Sequence, residues 1–152
     1  MRRGPAAQSR EERDGRVSEA RVESGRVVKT DSAPNAIGPY VQARTGTLAG
    51  RWIVTSGQVG IDPATQKLVS GGIVAETERA IRNLEGILKA GGGSLADIVK
   101  TTVFLADMAE FRAMNEVYAK MMGEPFPSRS TVAVRELPLS ARVEIEAWAF
   151  VA

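Results

Sequence analysis

The chain has 152 residues, of which 43% are hydrophobic, and this predicts one globular domain. It contains no cysteine and no histidine, which excludes disulfides, thiolate metal sites, a cysteine nucleophile and the commonest general base and zinc ligand. The net charge of +2 is too small to indicate a nucleic-acid surface. Any catalysis must therefore use carboxylates, Lys, Arg, Tyr, hydroxyl or backbone groups. No apolar run approaches a membrane span and the start lacks the apolar stretch of a secretory signal, so we expect a cytoplasmic protein.

Residues 1–25 differ in composition from the rest of the chain. Val17 and Val22 are almost the only larger apolar residues there, and the mixed charges nearly cancel. Such a stretch buries too little apolar surface to offset the entropy lost on ordering. We therefore expect a disordered or non-native tail at 1–25 and a folded domain at 26–152.

Short strands are predicted first in the folded region, at residues 26–30, 40–44 and 51–56. Residues 57–72 hold several glycines and a proline and are predicted to form a loop with turns. A helix should follow and end at the glycines 91–93. Its apolar residues recur at helical spacing, and its charged residues are available for the solvent-facing side. The apolar set is Val74, Ile81, Leu84 and Leu88, and the charged set is Glu76, Glu78, Arg82 and Lys89.

The second half of the chain predicts two long strands and a second helix. Residues 98–105 form a strand with apolar side chains on both faces. Asp107 caps the next helix, and Gly123 and Pro125 end it. The apolar stripe of that helix is Phe111, Met114, Val117, Tyr118 and Met121. A strand at 128–134 and a last strand at 142–151 complete the domain.

The last strand alternates between two kinds of side chain. Its odd positions from 143 to 151 are all apolar, whereas its even positions carry Glu144, Glu146, Trp148 and Phe150. The order of elements predicts an α+β fold, with one sheet and both helices packed on one of its faces. The other face still carries apolar groups, and self-association is the simplest way to cover them.

Two charged residues are the main candidates for chemistry. Arg129 lies near the start of a predicted strand, where a planar guanidinium can bind a carboxylate through two parallel hydrogen bonds. The alternative is that Arg129 forms an ion pair on the surface, and its position in the sequence alone favours this alternative. Glu144 shares a strand face with apolar groups, where a carboxylate can handle a water proton, and Glu146 is its rival by symmetry. From the sequence pattern alone, Tyr40 is predicted to pack in the core and Asn115 to lie on a helix surface.

Five segments, in order and spacing, are similar to the RidA/YjgF family of reactive intermediate deaminases. They are Ala-Ile-Gly-Pro-Tyr at 36–40, Thr-Ser-Gly-Gln at 55–58, Asp-Ile-Val-Lys-Thr-Thr-Val-Phe at 97–104, Phe-Pro-Ser-Arg-Ser at 126–130 and Val-Glu-Ile-Glu-Ala at 143–147. The resemblance runs from about Val28 to the C-terminus. It implies a chorismate-mutase-like α+β fold with a single mixed sheet, and a homotrimer with sites between subunits. It also implies hydrolysis of 2-imino acids or their enamines, such as 2-iminobutanoate and 2-aminoacrylate, to 2-keto acids and ammonia, without a cofactor.

The resemblance also implies roles for single residues. Arg129 would bind the substrate carboxylate and Glu144 would orient or activate the attacking water. Tyr40, Ser56, Gly57 and Asn115 match residues that line the family's pocket. Thr131 stands where many members have cysteine, so a thiol-dependent step is impossible here. Imine hydrolysis needs no enzyme nucleophile, because water attacks an electrophilic carbon.

Two other functions remain open at this point. One is a non-catalytic module that binds small carboxylates in the same pocket. The other is a ribonuclease or translation inhibitor, against which the absence of histidine and the small net charge both argue.

Overall fold

The structure, a computed structural model, describes residues 26–31, 35–36, 38–45 and 50–151. The predicted tail at 1–25 lies outside the described residues, so the domain boundary stays a prediction. The strands are β1 (Arg26–Val28), β2 (Ala43–Thr45), β3 (Arg51–Val54), β4 (Gln58–Val59), β5 (Ile61–Asp62), β6 (Lys67–Leu68), β7 (Ile98–Leu105), β8 (Ser128–Ala133) and β9 (Val143–Val151). The helices are α1 (Gly72–Ala90) and α2 (Phe111–Met122).

The main sheet has the strand order β3-β9-β7-β8, and β4 also pairs with β9. β7 and β8 run parallel while the other neighbours in this sheet are antiparallel, so the sheet is mixed. Since β7 occupies one edge of β9, β3 and β4 must share the other edge. β8 lies at the end of the order. Two further pairs, β1 with β2 and β5 with β6, form small two-stranded sheets that the sequence did not predict as such.

Both helices cover one face of the main sheet, as the sequence predicted. Along β9, the odd positions from Val143 to Ala149 are buried and pack with α1 and α2 in one core. β7 contributes Thr101, Val103 and Leu105 to the same face. The α+β prediction is confirmed because each long strand buries alternate residues beneath the helices.

The two predicted faces of α1 are each wrong at one position. Val74 is 44% exposed and Ile73 is buried in its place. The buried stripe recurs every three or four residues through Ile73, Thr77, Ala80, Ile81, Leu84 and Leu88, and Val74 lies one position off it. Glu76, expected on the solvent-facing side, is only 3% exposed.

The predicted loop at 57–72 contains three short strands. β4 continues the pairing with β9 after a short interruption, and β5 and β6 form a hairpin. The hairpin turn begins at Asp62, whose Oδ1 accepts a 2.7 Å hydrogen bond from the Ala64 backbone. Gln66 ends it with a positive φ of 57°, and its backbone N–H donates to the carbonyl of Asp62. Strands of two residues carry no usable periodicity, which is why glycine and proline content misled the prediction.

The second face of the sheet presents aromatic side chains to the outside. Trp52 and Trp148 are each 48% exposed and meet edge to face, with ring centroids 6.3 Å apart. Phe150 is largely buried against Trp52, at 4.9 Å between centroids. The prediction of an apolar second face is thus correct for Trp148, while its cover by self-association stays a prediction.

In the part of the chain that the structure describes, neither helix has the length and apolarity needed to cross a membrane. The expected cytoplasmic location stays a prediction.

Candidate functional site

Arg129 is the second residue of the edge strand β8, where three aromatic rings surround its guanidinium. The Cζ atom lies 4.7 Å from the ring centroid of Tyr118, 5.6 Å from that of Tyr40 and 5.8 Å from that of Phe111. Distances below about 6 Å are those of cation–π attraction. Arg129 pairs across the sheet with Thr101, which faces the helices. Its side chain therefore lies on the helix side, between β8 and α2.

Tyr40 reaches Arg129 from a separate segment of the chain. Pro39 is buried, and the Tyr40 backbone N–H donates to the carbonyl of Gly38 at 2.7 Å. The Val41 N–H donates to the carbonyl of Pro127, two residues before Arg129. Proline restricts the backbone, so this turn is well suited to hold the Tyr40 ring beside β8.

Tyr118 forms the other wall and is held by a buried hydrogen bond. Its hydroxyl and that of Thr101 are 2.7 Å apart. Burial raises the pKa of Tyr118 to about 12, with smaller opposing effects from the Thr101 hydrogen bond and the charge of Arg129. Burial also lowers the pKa of Arg129, and Tyr118 and Tyr40 oppose that shift. An arginine stays protonated in proteins, so the charge persists within an aromatic enclosure.

Three buried polar atoms near β8 and α2 have no hydrogen-bond partner. Within the described residues these are Arg129 Nη1, Asn115 Oδ1 and Thr131 Oγ1. Thr131 lies two residues from Arg129 and so on the same side of β8. Asn115 lies on the face of α2 that carries Phe111 and Tyr118, four residues after the first and three before the second. Native proteins pair buried polar atoms, so this set points to a polar ligand.

We call this group, Arg129 with Tyr40, Phe111, Asn115, Tyr118 and Thr131, the arginine cluster. It offers a guanidinium donor, an amide and a hydroxyl against aromatic walls. Such a surface can bind a small carboxylate that also carries a second polar group.

Glu144 lies on β9, and its carboxylate packs against the backbone of Gly57. A Cβ added at Gly57 would lie 1.8 Å from Glu144 Oε1 and 2.6 Å from its Cδ. No side chain can occupy that position while the carboxylate keeps its place. The resemblance implies that Gly57 lines a pocket, and in the structure the Glu144 side chain lies directly against it. We call Glu144, Gly57 and the exposed neighbour Ser56 the glutamate cluster.

A bulge between β3 and β4 positions Gly57. Val54 is opposite Trp148 and Gln58 is opposite Ile145, so three residues of one strand face two of β9. Thr55 anchors the bulge twice, because its N–H donates to the Ala147 carbonyl and its Oγ1 accepts from the Ala147 N–H, both at 2.9 Å. Bulges of this kind re-aim a strand and are frequent beside functional sites.

The two clusters face opposite sides of the sheet within one chain. Glu144 is opposite Phe104 on β7, whereas Arg129 is opposite Thr101. Phe104 and Thr101 are three positions apart on one strand, so their side chains point to opposite faces. The Lys100–Ser130 hydrogen bond of 2.9 Å marks the outer face beside Arg129. The structure thus groups Tyr40, Asn115 and Thr131 with Arg129, but leaves Ser56, Gly57 and Glu144 apart from them.

The sequence missed Phe111 and Tyr118 as members of the site, because it counted both as core stripe. A signal was present, since the two aromatic residues flank Asn115 at helical spacing on one face of α2.

Comparisons with known proteins agree on one family. The model of the Endoribonuclease L-PSP family matches residues 30–151. A human protein named 2-iminobutanoate/2-iminopropanoate deaminase is 47% identical over 124 residues, covering 82% of this chain and 88% of its own. The solved structure of RidA from the Antarctic bacterium Psychrobacter is 40% identical with a TM-score of 0.65, covering 83% of this chain and 99% of that one. The structure of E. coli TdcF with bound serine is 36% identical with a TM-score of 0.65, covering 84% and 99%.

Proposed function

Because this chain belongs to the Endoribonuclease L-PSP family, also called RidA/YjgF, we propose that it hydrolyses reactive 2-imino acids and their enamine tautomers to 2-keto acids and ammonia. The family predicted from the sequence is confirmed. The predicted deaminase activity agrees with the names of the curated relatives, several of which are 2-iminobutanoate/2-iminopropanoate deaminases. Their substrates are small imino acids by name, and this class is the one we assign to the chain.

The observation that carries the proposal is the buried, unpartnered Nη1 of Arg129 within the arginine cluster. A substrate carboxylate would accept from the guanidinium and compensate its desolvation. Asn115 and Thr131 would pair with the polar group on the adjacent carbon. TdcF, which has a similar fold, was solved with serine, itself a small carboxylate.

In the proposed reaction, Glu144 orients a water against the imine carbon. The water oxygen bonds to that carbon, and its proton passes through the carboxylate to the nitrogen. The resulting carbinolamine transfers its hydroxyl proton to the amino group, the carbon–nitrogen bond breaks, and ammonia leaves as the 2-keto acid forms. No enzyme nucleophile takes part, which is consistent with Thr131 in place of a cysteine.

We further propose that each site forms between two copies of the chain, in a homotrimer. Arg129 and Glu144 lie on opposite faces of one sheet, so a single chain does not present both to one substrate. The exposed Trp52 and Trp148 support the proposal, since they give the glutamate face an apolar surface for a second copy. In such an assembly Glu144 of one copy would complete the arginine cluster of its neighbour.

The family model is named after an endoribonuclease, but the residues of this chain do not favour RNA cleavage. The sequence has no histidine for general acid–base catalysis and a net charge of only +2. Arg129 is moreover enclosed by rings rather than part of a basic stripe.

The test is an imine assay in which 2-aminoacrylate or 2-iminobutanoate is generated in situ and keto-acid release is followed. Arg129→Ala and Glu144→Gln should each lower kcat/KM by about a hundredfold, through lost charge-assisted hydrogen bonds and lost water activation respectively. Arg112→Ala and Glu146→Gln are the matched controls, because Arg112 pairs with Glu116 on the surface of α2 and Glu146 lies two residues from Glu144. Both controls should keep the parent rate.

Two results would contradict the proposal. If Arg129→Ala reacted at the parent rate, Arg129 would have no role in the reaction. Tight 2-ketobutyrate binding without any acceleration over the spontaneous reaction would instead show a binding module.

A further inference from the structure

Glu76 is a buried carboxylate that belongs to neither cluster. It lies on α1 and is only 3% exposed, on a helix whose other glutamates, such as Glu78, lie nearer the solvent. A carboxylate is rarely buried to this extent unless it is hydrogen-bonded. The groups that contact the Glu76 side chain therefore indicate its role in the fold.

The Glu76 side chain contacts the two segments that carry the glutamate cluster. Its Oε2 accepts a 2.7 Å hydrogen bond from the backbone N–H of Arg142, two residues before Glu144. Its own backbone lies against Gly60, where an added Cβ would come within 2.7 Å of Glu76 Cα. Gly60 directly follows β4, and Gly57 directly precedes it.

Glu76 thus acts where the β4–β9 ladder ends. The last paired residues are Val59 and Glu144, so Gly60 lies one position and Arg142 two positions beyond the final pair. Backbone pairing no longer holds the two strands together there. The Glu76 carboxylate joins them instead, by binding Arg142 while its helix packs on Gly60.

Arg142 is fixed on its other sides as well. Its carbonyl accepts from the Ala106 N–H at 2.9 Å, and its guanidinium pairs with Glu110 at the start of α2. The remaining backbone group, the N–H, is the one that Glu76 holds. Glu76 therefore supplies the acceptor that links the start of β9 to α1, in addition to the contacts with β7 and Glu110.

We propose that Glu76 is a positioning residue that holds Glu144 against Gly57, and hence aims the Glu144 carboxylate at the attacking water. The proposal rests on the hydrolytic function proposed above. Glu76 would touch neither substrate nor water. Its effect would reach the reaction through the start of β9.

This placement predicts a particular kinetic signature. The arginine cluster binds the carboxylate and lies on the other face of the sheet, so loss of Glu76 should leave KM within about twofold. Misalignment of the Glu144 carboxylate should lower kcat by about tenfold. A merely structural role would instead lower the amount of active enzyme and leave the kcat of the folded fraction unchanged.

The experiment compares Glu76→Leu, Glu76→Gln and the control Glu78→Leu in the full chain, with kcat normalised to folded protein by circular dichroism. Glu76→Leu removes the acceptor and should show the selective loss of kcat. Glu76→Gln retains an acceptor of similar shape and should keep kcat within about twofold, as should Glu78→Leu. Gly60→Ala, whose Cβ would push α1 away from β4, should reproduce the loss and serves if Glu76→Leu does not fold.

Amide hydrogen exchange tests the same inference without activity. Exchange of the Arg142 amide should accelerate by about tenfold or more in Glu76→Leu and stay at the parent rate in Glu76→Gln, while α2 stays unchanged in both. Unchanged Arg142 exchange in Glu76→Leu, or an equal kcat loss in Glu76→Gln and Glu76→Leu, would overturn the proposal. An inactive parent with the expected exchange pattern would refute the hydrolytic function alone, and leave Glu76 as the residue that holds Glu144.

Discussion

The arginine cluster and the glutamate cluster are built in different ways. Arg129 is enclosed by rings from a loop and from α2 of its own chain. Glu144 lies on the outer face of the sheet, against the bare backbone of Gly57. Under the proposed function, the first arrangement would bind the substrate carboxylate, whereas the second would supply the group that orients the water. Under the same proposal, binding of the carboxylate needs the fold of one chain, whereas the attack of water needs a second copy.

The largest expected effect comes from mixing two inactive variants. If each site takes Arg129 from one copy and Glu144 from another, equal amounts of Arg129→Ala and Glu144→Gln refolded together should regain activity at about one quarter of all sites. Each variant alone should stay near one hundredth of the parent rate. The imine assay on the mixture measures this recovery, and a mixture no more active than its components would place both residues in a site within one chain.

Gly57→Ala should damage the glutamate cluster and spare the arginine cluster. The new Cβ would lie 1.8 Å from Glu144 Oε1, so the carboxylate must move. We expect kcat to fall by about tenfold with KM nearly unchanged, and stability to fall by about 1–3 kcal/mol from overpacking. Steady-state kinetics and urea unfolding measure the two effects.

Gly86→Ala is the control for this change. An added Cβ at Gly86 meets nothing within 4 Å, and the residue lies inside α1. Alanine there should stabilise the protein by about 0.5–1 kcal/mol without altering kcat. If Gly57→Ala retained the parent kcat, the position of Glu144 would not matter to the reaction.

Tyr118→Phe tests the wall of the arginine cluster. The ring beneath Arg129 would remain, but the Thr101 hydroxyl would lose its 2.7 Å partner in the core. We expect a loss of about 1–3 kcal/mol in the free energy of unfolding. Adding Thr101→Val should recover part of that loss, because both polar groups are then absent. If the double variant lost more stability than the two single variants together, the lost hydrogen bond would not explain the effect of Tyr118→Phe.

The smallest effect concerns alkaline pH. Burial raises the pKa of Tyr118 from 10.0 to about 12, so the folded state favours the neutral phenol. This contribution to stability is complete below pH 10 and is lost as pH rises towards 12, at about 1.4 kcal/mol per pH unit. Tyr118→Phe lacks this group, so the stability difference between parent and variant should shrink from pH 10 to 11. Urea unfolding at both pH values measures it, and a constant difference would contradict the assignment.

Part of the site could be predicted from the pattern of residues near it. Arg129 was expected near the start of a strand, and it is the second residue of β8. The alternation in β9 correctly assigned Glu144 to the face opposite the core. The spacing of Phe111 and Tyr118 around Asn115 indicated a shared helix face, but only the tertiary structure brings the guanidinium of another strand to their rings.

Glu76 shows the limit of local pattern most clearly. A glutamate within an amphipathic helix is predicted to face the solvent. Its burial depends on the Arg142 N–H, 66 residues further along the chain. Only the packing of α1 over the end of the β4–β9 ladder provides that partner.

The sequence by itself determined the α+β class, the two helices, the long strands and the family, because apolar periodicity and the five short segments are local properties of the chain. The tertiary structure decided which face each functional side chain occupies. Period-two alternation relates residues within one strand, but only the register between strands relates Arg129 to Glu144. That register places them on opposite sides of one sheet, and so makes a second copy of the chain part of the proposed chemistry.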